Sequence, residues 1–348
     1  MNTSATKLRQ LPVDSKNLVA HFTKRDLIIY ALGIGCCNDE YQGDELRYVY
    51  ERHPSFQIFP TFFLALYFSA ESESHGYNRI CPFPPASMSL VNDEGIIPTM
   101  FLKHAHAVTE IKQLPILHMS QSLEFHRQIR LSNNQSDATI QINLRTKITS
   151  VRPRKVGTFV TTETKYYQNG CCFATAWMTA LVFGLSPEKV IPWQRTEDTT
   201  LPYNFPSKSK TNTNKTTHEF VIPLNAALLY RLSGDYNPIH VEGTAIDNHS
   251  DRCPILHGLC TMGYATRAIM KHAKIFCKRD VRLTSISCNF AKPVRVGDGI
   301  CVDVWNIDDA EDNELRVRFC VIRSKKEKVV EKGFARLVPN ESTSTSRL

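Results

Sequence analysis

From Gly258 to Ala273, the residues Leu259, Met262, Thr266, Ile269, Met270 and Ala273 return at helical spacing. Four runs of strand character follow: Ser285 to Ala291, Gly299 to Asn306, Glu314 to Arg323 and Val329 to Leu337. A single amphipathic helix of this length must bury its apolar stripe. Antiparallel strands arriving next in the chain supply the surface, so one long helix wrapped by an antiparallel sheet is the expected form.

The earlier half has a different order. A helical pattern around Arg25 to Leu32 gives way to β-rich sequence, in which Ile140 to Ile148 alternates apolar and polar residues as a half-buried strand does. Thr158 to Tyr167 repeats the habit after a turn at Lys155 to Gly157, and Phe173 to Phe183 closes the sheet. From Leu185 to Thr217 the chain carries four prolines and the polar tract Ser207 to Thr217. The sequence therefore divides into an N-terminal region 1–184, a linker 185–217, a second region 218–340 and a polar tail 341–348. No internal repeat links the two regions.

Composition narrows the class. The 348 residues, 42% hydrophobic, suffice for two ordinary domains. No stretch of about 18 apolar residues occurs and the first residues lack the hydrophobic core of a signal peptide, so no membrane span is expected. The 11 cysteines are scattered without zinc-binding spacing, which predicts free thiols, and the histidines form no ligand motif, which predicts no metal. The net charge of +8 is spread rather than gathered into an arm or interleaved with aromatics, which argues against nucleic acid. The run Arg323 to Lys328 reads as a solvated hairpin turn.

Between the linker and the long helix lies the segment Tyr230 to His240. Pro238 cannot continue a helix, so a short helix with Leu224, Leu228 and Leu232 on one stripe should end near Gly234. Asp235, Asn237 and His240 then share a kinked loop. An acid and an imidazole side by side can hold a water and move protons to and from it, while the Asn amide orients it without titrating. Gly258, eighteen residues after His240, opens the long helix, where first-turn amides carry the positive end of the dipole and a glycine lets an oxygen approach. Each part has a plainer alternative: an Asx-turn before a proline, and a packing glycine.

The run Tyr230 to His240 followed by Pro254 to Cys260 closely resembles the MaoC-like type 2 enoyl-CoA hydratases. Asp26 to Gly35, Glu45 to Glu51, Phe59 to Phe62 and Phe290 to Asp298 extend the similarity over most of the chain. The resemblance implies an α+β double hot dog, two halves each with an antiparallel sheet around a long helix. The first half would shape an acyl tunnel and the second would keep the catalytic loop. It also implies that Asp235 and His240 are the acid/base pair, that Asn237 helps place the water, that the Gly258 amide faces the thioester oxygen, and that the product has the 3R hand. Which of Asp235 and His240 is the base stays open. Ile246, Ser250 and Asp251 depart from the family pattern, as does Ile116 to Gln121, so chain-length preference does not carry over.

The expected reaction is hydration of a trans-2-enoyl-CoA, with no cofactor because coenzyme A is part of the substrate. The mild positive charge suits that polyanion, and Lys292 and Arg295 are candidate phosphate contacts. Ser346, Arg347 and Leu348 differ from a peroxisomal address by one basic residue for another, which implies an import receptor as partner and peroxisomal residence. A homodimer is the assembly to test. An acyl-CoA thioesterase and an inactive acyl-CoA-binding module are the rival readings, because a fold does not choose its chemistry.

Overall fold

The computed structural model describes residues 15–39, 43–72, 101–103, 116–129, 139–194, 211–242, 254–307, 314–323 and 326–340. Ile246, Ser250, Asp251 and the tripeptide Ser346 to Leu348 lie outside the described residues.

The first half opens with strand β1 (Lys16–Phe22) and helix α1 (Lys24–Gly33). Thr23 caps that helix: the Asp26 carboxylate accepts from the backbone N–H and the hydroxyl of Thr23, each at 2.7 Å. The short helices α2 (Leu46–Val49) and α3 (Phe62–Ser69) follow, with strand β2 (Glu71–Ser72) after them. Four strands then build the half-sheet: β3 (Ile116–Phe125), β4 (Ile140–Arg154), β5 (Gly157–Gln168) and β6 (Cys171–Phe183). Asn169 and Gly170 both have positive φ between β5 and β6, as a two-residue hairpin turn requires.

A short strand β7 (Trp193–Gln194) pairs back onto β4. The expected linker ends earlier than its polarity suggests, because Thr211–Val221 forms strand β8 at the edge of the second half. An edge strand pairs on one side only, and its alternating β-branched threonines suit extended backbone despite their polarity.

The second half continues with helix α4 (Ala226–Tyr230), the 3₁₀ turns Arg231–Ser233 and Pro238–His240, and the twenty-residue helix α5 (Gly258–Cys277). Strands β9 (Val281–Phe290), β10 (Gly299–Ile307), β11 (Leu315–Arg323) and β12 (Glu327–Pro339) complete it. The helical run of α4 and the 3₁₀ turn after it stops at Gly234 as anticipated, but Leu224, Leu228 and Leu232 face outward, 78%, 51% and 40% exposed. Ala226, Ala227 and Tyr230 are buried in their place.

The twelve strands join one antiparallel sheet, eleven of them in the order β2-β1-β4-β5-β6-β3-β9-β12-β11-β10-β8, with β7 off this path beside β4. The halves meet where β3 pairs with β9, Gln121 opposite Cys288 and Leu123 opposite Ile286. Those four side chains are buried on the sheet's inner face, and one apolar core runs from α1 and α3 through to α5. The second half wraps its long helix as expected. In the first half, the segment leading into the catalytic loop packs against α1 and the eight-residue α3, neither of them longer than half of α5. A smaller core of Phe101, Val160, Val182 and Trp193 lies apart from the main one.

Candidate active site

Gly234 sets the direction of the catalytic loop. Its φ of +128° turns the chain out of the 3₁₀ helix, and a Cβ there would sit 3.1 Å from the backbone nitrogen of Ser69 at the end of α3. Asp235 follows, accepting from the Asn237 backbone N–H at 3.3 Å, and Asn237 in turn accepts from the Ile239 N–H at 3.2 Å through its side-chain oxygen. These are Asx-type caps, and Pro238 begins the turn that carries His240. The plain alternative read from the sequence is thus present, and the loop it builds is what places His240 opposite Asp235.

His240 is buried, and its Nδ1–H donates to the Ile255 carbonyl at 2.8 Å. A carbonyl only accepts, so the other nitrogen of the neutral ring, Nε2, carries the free lone pair. That nitrogen lies 4.0 Å from Asp235 Oδ2, across a gap with room for shared hydrogen bonding to a third oxygen. Burial shifts both groups toward neutrality. It raises the Asp235 carboxyl, against the pull of His240 and the Asn237 N–H, and it lowers His240, against the pull of Asp235 and the Ile255 carbonyl. The pair therefore titrates as a unit.

Ile255 is held by a β-bridge to Arg295, and Leu256 donates its N–H to the Val294 carbonyl at 2.7 Å. The segment before α5 is thereby fixed, so that Gly258 begins the helix beside the acid/base pair. A Cβ on Gly258 would meet the Phe290 ring at 3.4 Å. The His118 ring of the first half packs edge-on against the other side of this contact, 4.9 Å from Phe290 by ring centroids.

His257 is the residue the sequence reading passed over. Its ring stacks on His240 with centroids 3.6 Å apart, and its Nε2–H donates to the Asp235 backbone carbonyl at 3.0 Å. Burial lowers its pKa well below the ordinary range, with the neighbouring His240 adding to that effect. The only signal in the sequence was its place directly before Gly258, at the cap of the long helix. Spacing alone could not bring it to Asp235, twenty-two residues earlier.

The remaining candidates sit farther out. Lys292 pairs with Glu327 at 2.5 Å and is half exposed, while Arg295 anchors the strand segment through its backbone. In the first half, Tyr30 is fully buried and donates to Thr61 at 2.8 Å, and His126 bonds Thr175. Nine cysteines lie among the described residues, and Cys36, Cys260, Cys288 and Cys320 are buried thiols. No helix among the described residues is long and apolar enough to cross a membrane.

With this geometry in place, comparison with known proteins accounts for the two halves separately. The model of the MFE-2 hydratase 2 N-terminal domain matches residues 21–184, and that of the MaoC like domain matches residues 206–329. The chain belongs to the MaoC-like hydratase 2 family. A MaoC-like dehydratase from Phytophthora capsici superposes with a TM-score of 0.67 at 25% identity, over 99% of this chain and 100% of that one. An Arabidopsis thaliana protein named enoyl-CoA hydratase 2, peroxisomal, is 29% identical across 82% of each chain. The Drosophila melanogaster peroxisomal multifunctional enzyme type 2 is 25% identical over 92% of this chain. This hydratase 2 family member spans 46% of the length of that enzyme and 27% of the Saccharomyces cerevisiae hydratase-dehydrogenase-epimerase. The double hot dog that the family resemblance implied is the fold these neighbours share.

Proposed function

We propose that this chain catalyses the reversible addition of water to a trans-2-enoyl-CoA, giving the 3-hydroxyacyl-CoA. The observation that carries the reading is the 4.0 Å separation of Asp235 Oδ2 and His240 Nε2, with the imidazole locked by the Ile255 carbonyl so that its lone pair faces the acid. A water bridging that gap gives one proton to the pair while its oxygen bonds to C3. The π electrons move toward the thioester oxygen, and the pair returns a proton to C2, which restores the carbonyl. The Gly258 N–H and the positive end of α5 stabilise the enolate oxygen, a contribution of roughly 3–4 kcal/mol per donor in related acyl chemistry.

Acid/base groups suffice for this reaction, so the proposal includes no cofactor beyond the coenzyme A of the substrate itself. Asn237 spends its side-chain oxygen on the turn, leaving its amide N–H₂ to place the water. Lys292 and Arg295 are proposed as contacts for the coenzyme A phosphates. Peroxisomal residence is supported by the relatives' names, and the 3R hand and delivery by an import receptor reading Ser346 to Leu348 belong to the same proposal. A homodimer is proposed as well: Val221, Leu224 and Leu228 leave an apolar edge that a second copy would cover, and sedimentation tests it.

The deciding experiment mixes purified protein with short- and medium-chain trans-2-enoyl-CoA and follows loss of the conjugated-thioester absorbance, with chiral analysis of the product. Rapid loss with a 3R product supports the reading. Release of free thiol from saturated acyl-CoA in its place would reassign the chain to thioester hydrolysis.

A further inference from the structure

The acid/base loop holds itself only loosely. Its internal bonds are the two Asx-type caps, at 3.3 Å and 3.2 Å, which lie at or beyond the long end of the usual range. The shorter anchors come from outside, from Ile255 to His257 at the entrance to α5. The Ile255 carbonyl accepts the His240 Nδ1–H at 2.8 Å, and His257 donates its Nε2–H to the Asp235 carbonyl at 3.0 Å. One segment therefore grips both members of the pair. That segment is tied down in turn by the Ile255–Arg295 bridge and by the Leu256 N–H bond to the Val294 carbonyl.

His257 adds a second contact of its own. Its ring lies on His240 with centroids 3.6 Å apart and planes 25° from parallel, and the Tyr230 ring packs against it at 4.8 Å. The residue is 1% exposed, so close packing fixes where the ring sits. The next residue is Gly258, whose N–H is assigned to the thioester oxygen. His257 thus touches the acid, touches the base and stands one peptide from the oxyanion donor. It moves no proton itself. Nε2–H is spent on a carbonyl, which only accepts, and Nδ1 is buried without a hydrogen-bond partner among the described residues. Burial, with His240 and Arg231 nearby, keeps the ring neutral against the pull of the Asp235 carbonyl. What it supplies is position.

We propose that His257 is a positioning residue of the hydration reaction, which holds the Asp235/His240 loop in one frame with the Gly258 amide, chiefly through its bond to the Asp235 carbonyl. The bond is the decisive part because any flat ring could stack on His240, whereas only a donor at this place meets the Asp235 backbone. The role rests on the hydratase reading above and deepens it. Addition of water needs the loop and the oxyanion donor aligned at the same moment, and a misplacement of about 1 Å costs on the order of 10²-fold in rate.

Two substitutions separate the bond from the ring. His257→Phe keeps a flat ring against His240 and removes the N–H; His257→Gln removes the ring and keeps an amide N–H within reach of the Asp235 carbonyl. With the full chain and a trans-2-enoyl-CoA, His257→Phe should lower kcat by about 10²-fold with KM within about twofold of the parent's, and His257→Gln should recover at least about tenfold of that loss. Amide hydrogen exchange read by mass spectrometry gives a measure independent of turnover. In His257→Phe the peptide spanning 231–242 should lose protection while peptides of α5 and β9 to β12 keep theirs, and His257→Gln should restore it. A parent-like kcat in His257→Phe would overturn the role, as would an equal loss in both variants. Protection lost throughout α5 and the second-half strands would make His257 a packing residue and overturn it too. A parent chain that does not hydrate enoyl-CoA counts against the proposed function, and the exchange pattern then decides by itself whether His257 holds the loop.

Discussion

Arg267 of α5 and Glu45 of the first half form a two-pronged ion pair, Nε donating to one carboxylate oxygen and Nη2 to the other, each at 2.8 Å. The guanidinium is fully buried and also donates to Asp39 at 2.8 Å, while the Phe220 ring lies 4.8 Å from its central carbon. This pair ties the helix that begins at the active site to the loop following α1. Removing the cation leaves a carboxylate that is only 13% exposed with the Cys37 N–H at 2.9 Å and Lys271 at 3.8 Å as its remaining partners. Arg267→Met should therefore cost roughly 3–5 kcal/mol, the usual penalty for breaking a buried pair from one side. Urea unfolding checks it. A loss of under about 1 kcal/mol would mean the pair behaves as a surface contact.

The acid/base assignment predicts a split between activity and stability. Asp235→Asn and His240→Gln should each lower turnover by at least ~10²-fold, because each removes a proton-transfer group. Both substitutions keep side-chain volume, and Gln at position 240 can still donate toward the Ile255 carbonyl. Thermal midpoints close to the parent's should accompany the loss. Near-normal turnover in either variant would reject its role.

Acidification should destabilise the protein before the carboxylates titrate. His118, His240 and His257 all have folded-state pKa values lowered by burial, His118 from 6.5 to about 4. The unfolded chain thus binds more protons than the native one below pH 6.5, so stability is full above that value and falls as pH drops toward 4. Asp235 works in the opposite sense: its raised carboxyl favours the native state below its folded pKa and withdraws that help as pH rises. Burial lowers His218 and His272 as well, so with five histidines against one carboxyl a net fall on acidification is expected. Denaturant midpoints measured between pH 7 and pH 4 test this, and His118→Phe should flatten the fall. A midpoint constant across that window would show that the histidines are not buried neutral.

The long helix was legible because its burial follows from spacing along one element: Leu259, Met262, Ile269 and Ala273 are all buried. The loop carrying Asp235 and His240 was legible because Pro238 and Gly234 dictate local backbone. What the sequence could not show depends on contacts between distant segments. Thr211 to Thr217 looked like linker because strand pairing at an edge leaves no apolar trace. Leu224 and Leu228 looked like a core stripe because periodicity says nothing about which face meets the core. His257 was overlooked although it lies inside the motif, since its importance comes from stacking on His240 and from the Asp235 carbonyl, neither of which spacing encodes.

Gly258 separates packing from catalysis. A methyl group there would touch three Phe290 ring atoms at 3.4 Å, a contact the ring can relieve by a shift of a few tenths of an ångström. The helix itself gains from the exchange, since alanine is favoured over glycine by up to about 1 kcal/mol in a helix interior and by less at its first turn. Folding should therefore survive Gly258→Ala with a thermal midpoint close to the parent's. The methyl nevertheless projects from the residue whose N–H is to meet the thioester oxygen, so that oxygen must retreat from its donor. Loss of one such donor costs on the order of 10²–10³ in turnover. The expected pattern is a fall in kcat approaching that range with no loss of stability. Equal activity in the variant would move the oxyanion contact away from Gly258, and a parallel loss of stability would make the glycine a packing requirement of the Phe290 ring.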